Sequence, residues 1–306
     1  ATISPKTIVA STSASNKIYD GNTNASATGS VTGVIGSDVV DVTVTNASFD
    51  NKNAGIGKTV TANVSINNGN YRLKDATVSA LANITAKDIT GSFTASNKVY
   101  DGSSSATVTG LSLQGVIDGD VVELTGGTAT FADKNAATGK VVSLAGASLA
   151  GADKDNYNMT AVSTASADIT QKLASVTPLA NTKVYGAAEP TLEGSTDGFL
   201  VADGIAAAYF RTSGEAVGTY TISAVLNPEE ALANYDITYN TAEFEITKAA
   251  LVVTADDKSK VYGDENPTFT GIVTGVVNGD NIVASYTSLA TISSPVSTYA
   301  ITPDLS

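Results

Sequence analysis

The side chains that could do chemistry in this sequence are mainly carboxylates and lysines, because the 306-residue chain contains no histidine and no cysteine. The usual general base and the thiolate nucleophile are therefore absent. Catalysis would need a nucleophile beside another base, or paired carboxylates in a pocket. The acidic residues instead lie mainly in turn-like contexts such as "DGD" (118–120) and "DKD" (153–155). This distribution indicates that the chain is not an enzyme.

Closely spaced aspartates make calcium a candidate ligand. The pairs are Asp118 with Asp120, Asp153 with Asp155, and Asp256 with Asp257. Ca²⁺ prefers such oxygen ligands, but no pair belongs to an EF-hand-type loop with its closing glutamate. Solvated carboxylates in turns are the simpler interpretation. We therefore predict no cofactor and keep calcium as the open alternative.

Recurring lysines and asparagines raise a second chemistry, an isopeptide cross-link between the two side chains. The lysines are Lys17, Lys98, Lys183 and Lys260, and the asparagines are Asn70, Asn156 and Asn234. A simpler cause accounts for both sets, because lysine protects an exposed strand edge and asparagine before tyrosine suits a turn.

Charge and hydropathy exclude two classes of partner. The net charge is -13 and only 17 residues are Lys or Arg, so a phosphate-rich partner such as nucleic acid is not expected. No stretch approaches the roughly 18 apolar residues of a membrane span. The N-terminal "ATISPKTIVA" lacks the basic start and apolar run of a signal peptide. Any export signal is therefore expected outside this segment.

Internal repeats organise the chain. "SNKIYDG" (15–21) returns almost unchanged as "SNKVYDG" (96–102), and weaker copies surround Tyr185 and Tyr262, so the unit recurs about every 80 residues. An Asn-Tyr pair follows late in three of these units, and each of the three closes with "NIT", "DIT" or "EIT". The sequence therefore predicts four modules.

Tyrosines in these motifs are predicted to be structural anchors. They are Tyr19, Tyr100, Tyr185 and Tyr262 in the "KxY" motif, and Tyr71, Tyr157 and Tyr235 in the Asn-Tyr pairs. A tyrosine can bury its ring in a core while its hydroxyl binds a backbone partner, and the Asp-Gly that follows in the first two copies supplies a tight turn.

Alternating runs such as "SATVTGLSL" and "TASADIT" separate these landmarks. Thr- and Val-rich alternation bounded by Asp-Gly, Gly-Asp and Lys-Asn turns predicts β-strands. We expect an all-β chain in which each module is a small immunoglobulin-like β-sandwich of roughly six to eight strands. The stretch "PEEALANY" (228–235) is the exception and predicts one helical turn.

Module boundaries follow from the motifs. We expect modules at residues 6–86, 87–170, 171–247 and 248–306, named here the first to fourth repeats, after a tail at residues 1–5. The first two share one subtype and the last two share another. Connections such as "ITAKDIT" contain neither Gly nor Pro and leave almost no free residues, so the array is expected to be an elongated, stiff rod.

The two ends do not coincide with module boundaries. "ATISPK" aligns with "ANITAK" (82–87), so residues 1–5 are expected to be the tail of an upstream module. The fourth repeat has no counterpart of the third repeat's Asn-Tyr segment and "EIT" strand, so it is expected to be incomplete. We expect the following residues of a longer array to complete it. The alternative is strand donation by another chain, which would make the segment a fibre subunit.

These motifs resemble a known family. "KIYDG", "KVYDG", "GVIDGDVV" and "FADKN" look like YDG-type repeats, and "KVYGAAEPTL", "KVYGDENPTF" and "NYDITY" look like MBG-type (YGX) repeats. Both types occur in tandem in large bacterial surface and secreted proteins, many of them adhesins or haemagglutinin-like proteins. The resemblance covers nearly the whole chain and implies an extracellular, cell-surface location. It brings no catalytic residue.

Two functions are consistent with this resemblance. In one, the array is a stalk that holds an adhesive region away from the cell, and its partners are neighbouring repeats of the same polypeptide. In the other, the modules themselves bind a host or matrix glycan or protein. The stalk is favoured because aromatic residues are only 6% and Trp is absent, while binding sites use such residues heavily. Phe199, Tyr209 and Phe210 in the third repeat are the exception, because these aromatic residues lie outside the recurring tyrosine positions.

Overall fold

Strands dominate the computed structural model, which describes residues 1–306. It contains 25 β-strands, two short 3₁₀ turns and one short α-helix. The all-β prediction is therefore confirmed. β-Branched side chains explain it, since Thr and Val pack well on a pleated surface and poorly in a helix. The chain divides into two compact units, residues 1–170 and residues 171–306.

The first repeat contains seven strands. They are β1 (Lys6–Ala14), β2 (Lys17–Ile18), β3 (Ala27–Thr32), β4 (Val42–Phe49), β5 (Gly55–Ile66), β6 (Tyr71–Leu73) and β7 (Thr77–Thr85). One sheet has the order β3-β1-β6 and the other has the order β2-β7-β5-β4. Val60, Ala62 and Val64 alternate along β5 and are buried. This strand therefore has one face in the core.

The second repeat has the same sheet topology. Its strands are β8 (Lys87–Ala95), β9 (Lys98–Val99), β10 (Val108–Gln114), β11 (Glu123–Phe131), β12 (Ala137–Ala150), β13 (Tyr157–Val162) and β14 (Ala165–Thr170). The sheets have the orders β10-β8-β13 and β11-β12-β14-β9. Phe131, Val142 and Ile169 are buried on the inner face of the four-stranded sheet.

The third repeat lies in the second unit and again repeats this arrangement. Its elements are β15 (Lys172–Pro178), β16 (Asn181–Val184), β17 (Gly194–Asp197), β18 (Ala206–Arg211), β19 (Gly218–Asn227), α1 (Glu229–Leu232), β20 (Tyr235–Tyr239) and β21 (Ala242–Thr247). The sheets have the orders β17-β15-β20 and β16-β21-β19-β18. Helix α1 confirms the helical turn predicted for "PEEALANY". No helix of the chain combines the length and apolar character that crossing a membrane requires.

The fourth repeat contains fewer strands. They are β22 (Val252–Ala255), β23 (Gly271–Thr274), β24 (Ala284–Ser288) and β25 (Ile301–Leu305). They form two sheets of two strands each, β22-β23 and β24-β25. Its side chains are all exposed or half-buried, so this repeat lacks the closed core of the other three.

A recurring parallel pairing positions the tyrosine of each Asn-Tyr pair. The first residue of the repeat's first strand lies opposite this tyrosine. The pairs are Lys6 with Tyr71, Lys87 with Tyr157, and Lys172 with Tyr235. The Asn-Tyr tyrosine is therefore held at the end of the repeat where the chain enters.

A second recurring contact positions the "KxY" tyrosine. The backbone N–H of Tyr19 donates to the carbonyl of Thr85 at 2.8 Å, and those of Tyr100 and Tyr185 donate to the ends of their own closing strands at the same distance. In the first repeat, Thr85 lies two residues before Lys87, which is itself opposite Tyr157. Tyr19 and Tyr157 therefore lie on either side of the join between the first and second repeats.

Candidate functional site

The predicted anchor tyrosines differ in burial. Tyr19 is only 1% exposed, and Tyr71, Tyr100, Tyr157 and Tyr235 are also buried. Tyr185 is half-buried. Tyr262 departs from the expectation of a buried ring, since it is 65% exposed. The fourth repeat contains no strand corresponding to β21, which in the third repeat lies beside the "KxY" segment.

The hydroxyl partner of Tyr19 also differs from the predicted backbone group. Its Oη donates to Oδ2 of Asp120 at 2.7 Å, across 101 residues of sequence. Asp120 lies in the loop between β10 and β11, so a tyrosine of the first repeat binds a carboxylate of the second. The tyrosine is therefore a contact between repeats as well as a core residue.

Asp120 accepts hydrogen bonds from both repeats. Tyr157 of the second repeat donates to Oδ2 at 2.6 Å, while Lys52 of the first repeat donates to Oδ1 at 2.7 Å. The carboxylate side chain is only 3% exposed. Three donors, one of them cationic, offset the cost of burying this charge.

The loop that carries Asp120 is held in one conformation. The N–H of Asp120 donates to the carbonyl of Ile117 at 3.1 Å, and the N–H of Ile117 donates to Oη of Tyr157 at 3.0 Å. Gly119, between them, has φ of +90°, a conformation that residues with a Cβ rarely adopt. Tyr157 therefore supports the loop while donating to its carboxylate.

A second acidic residue, Asp153, lies close to the ammonium group of Lys52. Asp153 accepts the N–H of Val121 at 3.0 Å through Oδ2, and its Oδ1 lies 3.6 Å from Nζ of Lys52. Lys52 comes from the turn between β4 and β5. Its ammonium group therefore lies between two carboxylates of the following repeat.

Apolar packing surrounds these polar contacts. The rings of Tyr19 and Tyr157 meet edge to face, with centroids 5.4 Å apart and planes at 77°. Both belong to one buried cluster with residues of the first repeat such as Phe49 and of the second such as Ile89, with Ile117 packed against it. The hydrophobic core is thus continuous across the join at residues 86 and 87.

The asparagine of the second Asn-Tyr pair adds a further bond across this join. Asn156 is buried, and its Oδ1 accepts the backbone N–H of Ala54 at 2.8 Å. Ala54 belongs to the first repeat. Asn156 therefore satisfies a backbone donor of its neighbour in addition to shaping its own turn.

The contacts around Asp120 determine which of the groups at this join carry a proton. Burial raises the pKa of Asp120, but the hydrogen bonds from Lys52, Tyr157 and Tyr19 outweigh burial and hold the pKa below its usual range. Burial and the bond to Asp120 raise the pKa of Tyr157 to about 12. The same causes raise the pKa of Tyr19, and the bond to Asp120 raises the pKa of Lys52. At neutral pH the site contains an ionised carboxylate, two neutral phenols and an ammonium group.

The bond from an Asn-Tyr tyrosine to an aspartate of its own repeat recurs in the first and third repeats. Tyr71 donates to Oδ2 of Asp38 at 2.6 Å and accepts the N–H of Ile35 at 3.0 Å. Tyr235 likewise donates to Asp203 at 2.5 Å. In each case an Asn-Tyr tyrosine binds an aspartate of its own repeat, so the first three repeats share this element.

The third and fourth repeats show the second kind of contact, in which a "KxY" tyrosine binds an aspartate of the following repeat. Tyr185 of the third repeat donates to Oδ1 of Asp280 of the fourth at 3.3 Å. Asp280 follows the same turn as Asp120, since its N–H donates to the carbonyl of Val277 at 3.1 Å. A "KxY" tyrosine therefore contacts the loop aspartate of the next repeat at two joins, one in each unit.

The paired aspartates do not come together in a larger group of acidic side chains. No group of three or more His, Cys, Asp or Glu side chains is placed to hold a metal ion anywhere in residues 1–306. Both oxygens of Asp120 are bound by protein donors, and Asp153 accepts a backbone N–H. Asp256 accepts the hydroxyl of Thr270.

The recurring lysines bind groups of their own repeat. Lys17 donates to Asp20, Lys98 donates to Asp101, and both aspartates belong to the adjoining Asp-Gly turn. Lys183 instead forms ion pairs with Glu189 and Glu215. These contacts give the lysines a structural role within their own repeats.

The aromatic residues singled out in the third repeat are mostly internal. The ring of Phe199 packs edge to face on Tyr235, with centroids 4.9 Å apart. Tyr209 is half-buried and packs against the cluster around Phe244. Phe210 alone is exposed, at 50%. These residues therefore do not form a continuous aromatic surface.

Two family models match the chain in tandem. The YDG domain matches residues 4–80 and 85–166, and the MBG domain of the YGX type matches residues 174–245 and 251–305. These are the predicted families in the predicted order, and they are not known as catalytic families. No curated protein matches the chain.

Among the solved structures that match the chain is one whose alignment extends over most of the chain. The crystal structure of the human desmocollin-1 ectodomain is 8% identical, with 96% of this chain and 77% of that chain covered. The TM-score is 0.20. A score this low supports no conclusion about shared architecture or function.

Proposed function

Because this chain belongs to the families of YDG domains and of MBG domains of the YGX type, we propose that it is a non-catalytic stalk segment of a bacterial surface or secreted adhesin. Its location is extracellular, where repeats of these types typically occur. Its partners are neighbouring repeats of the same polypeptide. Its role is to hold an adhesive region at a distance from the cell.

The architecture that we propose for this role is a row of four immunoglobulin-like β-sandwiches at residues 6–86, 87–170, 171–247 and 248–306. The recurrence of one three-stranded and one four-stranded sheet in the first three supports it. A strand of about ten residues rises roughly 33 Å, so a sandwich with its turns is on the order of 35 to 40 Å long and four end to end would span about 150 Å.

The observation that carries the proposal is the shared carboxylate of Asp120. A stalk must transmit force and keep its direction, so its joints must resist bending. Tyr19 and Lys52 on one side and Tyr157 on the other bind the same buried charge. Bending this joint would separate a buried charge from two of its donors, Tyr19 and Lys52, which is costly in free energy.

Small-angle scattering of the full chain tests the proposal. We expect a maximum dimension close to the summed lengths of the repeats, about 150 Å from the strand rise. A compact globular profile would contradict the stalk. The same measurement on Asp120→Asn should show a more flexible chain, because the weakened joint no longer fixes the angle between the first two repeats.

A matched control is available on the same loop. Asp118 is exposed and two residues away, so Asp118→Asn removes the same charge without touching the joint. It should scatter as the unmodified chain does. Saturable binding of the chain to a glycan array or a panel of matrix proteins would instead support the ligand-binding alternative.

A further inference from the structure

The fourth repeat contains an open groove. A cavity of about 660 Å³ is lined by Lys260, Val261, Tyr262, Phe269, Val296 and Tyr299, among other residues. Val261 and Tyr262 are mostly exposed, and Val296 is 92% exposed. Exposed apolar side chains around a groove of this size indicate a surface that something else covers.

The same place in the third repeat is filled by β21. This strand pairs in parallel with β16, with Lys183 opposite Ile246, and antiparallel with β19, with Tyr220 opposite Phe244. Phe244 is 0% and Ile246 is 1% exposed. The strand therefore supplies two large side chains to the core and closes the sheet.

The segment that contacts β21 in the third repeat and the segment that lines the groove in the fourth correspond residue by residue. "VGTYTI" (217–222) matches "VSTYAI" (296–301), which places Tyr299 at the position of Tyr220. Tyr220 donates to the carbonyl of Ala216 at 2.7 Å, and Tyr299 donates to the carbonyl of Pro295 at 2.9 Å. The wall that contacts β21 in the third repeat is thus already formed in the fourth.

A second pair of contacts extends this correspondence. The ring of Tyr209 closely faces Gly194 in the third repeat, and the ring of Tyr286 closely faces Gly271 in the fourth. A Cβ at either glycine would lie about 2.5 Å from the tyrosine ring. The sheets of the fourth repeat therefore pack on one another as those of the third do, with the place of β21 left open.

We propose that this groove is an acceptor site for one β-strand with the chemistry of β21, "AEFEIT". The strand has large apolar side chains at alternate positions and acidic residues between them. It would run parallel to residues 258–261 and antiparallel to residues 297–301. By analogy with β21, its Phe lies opposite Tyr299 and its Ile lies opposite Lys260. Strand addition of this kind gives affinity through backbone bonds and specificity through alternate side chains.

Both walls consist of segments that belong to no β-strand, which supports the same occupant. Residues 258–261 on one wall and 297–300 on the other belong to no strand, whereas the third-repeat equivalents of residues 258–261 form β16. Lys260 Nζ donates to the carbonyls of Asp264 and Thr291, whereas its equivalent Lys183 pairs with two glutamates. An extended segment without a neighbour is a template for an added strand.

A labelled peptide with the sequence of residues 240–249, "NTAEFEITKA", tests the proposal on the full chain. We expect saturable binding by fluorescence anisotropy. Hydrogen exchange should show new protection at residues 258–261 and 297–301. A matched peptide with serine at the Phe244 and Ile246 positions should bind at least about a hundredfold more weakly, because both buried apolar side chains are lost.

Two chain variants locate the site. Tyr299→Asp places a charge in the groove and should abolish binding. Ile272→Asp changes an exposed apolar residue of β23 that is outside the groove and should leave binding unchanged. Equal loss in both variants, or protection of β16 and β19 instead of the fourth repeat, would overturn the proposal.

Self-association is the remaining outcome. If the chain alone forms polymers that depend on concentration and disappear when residues 1–5 are removed, the occupant is the N-terminal segment of a second copy. That result would overturn the assignment of the groove to a strand with the chemistry of β21.

Discussion

The join between the first and second repeats and the join between the third and fourth use the same tyrosine position with different partners. At the first join, Tyr19 donates to Asp120 at 2.7 Å, beside Tyr157 and Lys52. At the second, Tyr185 donates to an exposed Asp280 at 3.3 Å. Neither a lysine nor a second tyrosine donates to Asp280.

The difference shows what converts a contact into a fixed joint. An exposed hydrogen bond competes with water and contributes little net stability. The buried carboxylate of Asp120 loses the bonds from Tyr19 and Lys52 when the repeats separate, and is then left with Tyr157 as its side-chain donor. The first join should therefore be the stiffer and more stable of the two, and each prediction below tests that ranking.

The largest expected effect is that of Tyr19→Ala. Removing a buried ring should lower the free energy of unfolding of the first repeat by about 3 to 5 kcal/mol. Tyr262→Ala is the matched control at the same motif position and should change stability little, because its ring is 65% exposed. Denaturant unfolding combined with hydrogen exchange measures both. Equal losses would contradict the difference in burial.

The next effect is that of Asp120→Asn. Loss of the charge that Lys52 and the two tyrosines bind should destabilise residues 1–170 by about 2 kcal/mol. Asp280→Asn should produce no measurable loss. A larger loss for Asp280→Asn than for Asp120→Asn would invert the comparison of the joins.

Alkaline pH should weaken the first join selectively. The pKa of Tyr157 is raised from 10.0 to about 12, so the folded state holds its proton more tightly than the unfolded state does. Its contribution is complete below pH 10 and is lost as the pH rises towards 12. Lys52, whose pKa is also raised, adds a loss in the same direction.

Unfolding midpoints across this alkaline range measure the effect. Tyr157→Phe should reduce the slope for residues 1–170, and Tyr185→Phe should leave it unchanged. An unchanged slope in Tyr157→Phe would show that this phenol does not contribute to the pH dependence.

Acid should produce the smallest effect. The pKa of Asp120 lies below its ordinary value of 3.8, so its contribution is present above that value and is lost as the pH falls through the lower folded value. Asp120→Asn should remove this part of the acid dependence, and Asp118→Asn should not. Stability curves between pH 2 and pH 5 would test this, and identical curves for both variants would reject it.

Local pattern was enough to predict the class of fold. Alternating Thr- and Val-rich runs became strands because β-branched residues favour an extended backbone whatever lies opposite them. Motifs such as "KVYDG", "GVIDGDVV" and "KVYGAAEPTL" also resemble the families that the comparisons show. Both results depend on short stretches of sequence that can be compared without knowing their neighbours.

The sequence does not predict the chemistry of the joint. Its pattern indicates a turn carboxylate or a calcium ligand at Asp120 and assigns no role to Lys52. A signal was present, since "GVIDGDVV" and "FDNKN" recur as landmarks in step with the tyrosines. The sequence alone does not show that Lys52 and Asp120 are in contact, because the two residues are far apart in sequence and belong to different repeats.

The sequence by itself determined the repeat, the strands and the tyrosine positions, since these depend on local propensity and periodicity. The tertiary structure decided which tyrosines are buried and which carboxylate each one binds. Tyr19 meets Asp120 because Thr85 holds its backbone while Lys87, two residues later, pairs with Tyr157. Tyr262 has an equivalent motif and stays exposed, because burial depends on a neighbouring strand such as β21.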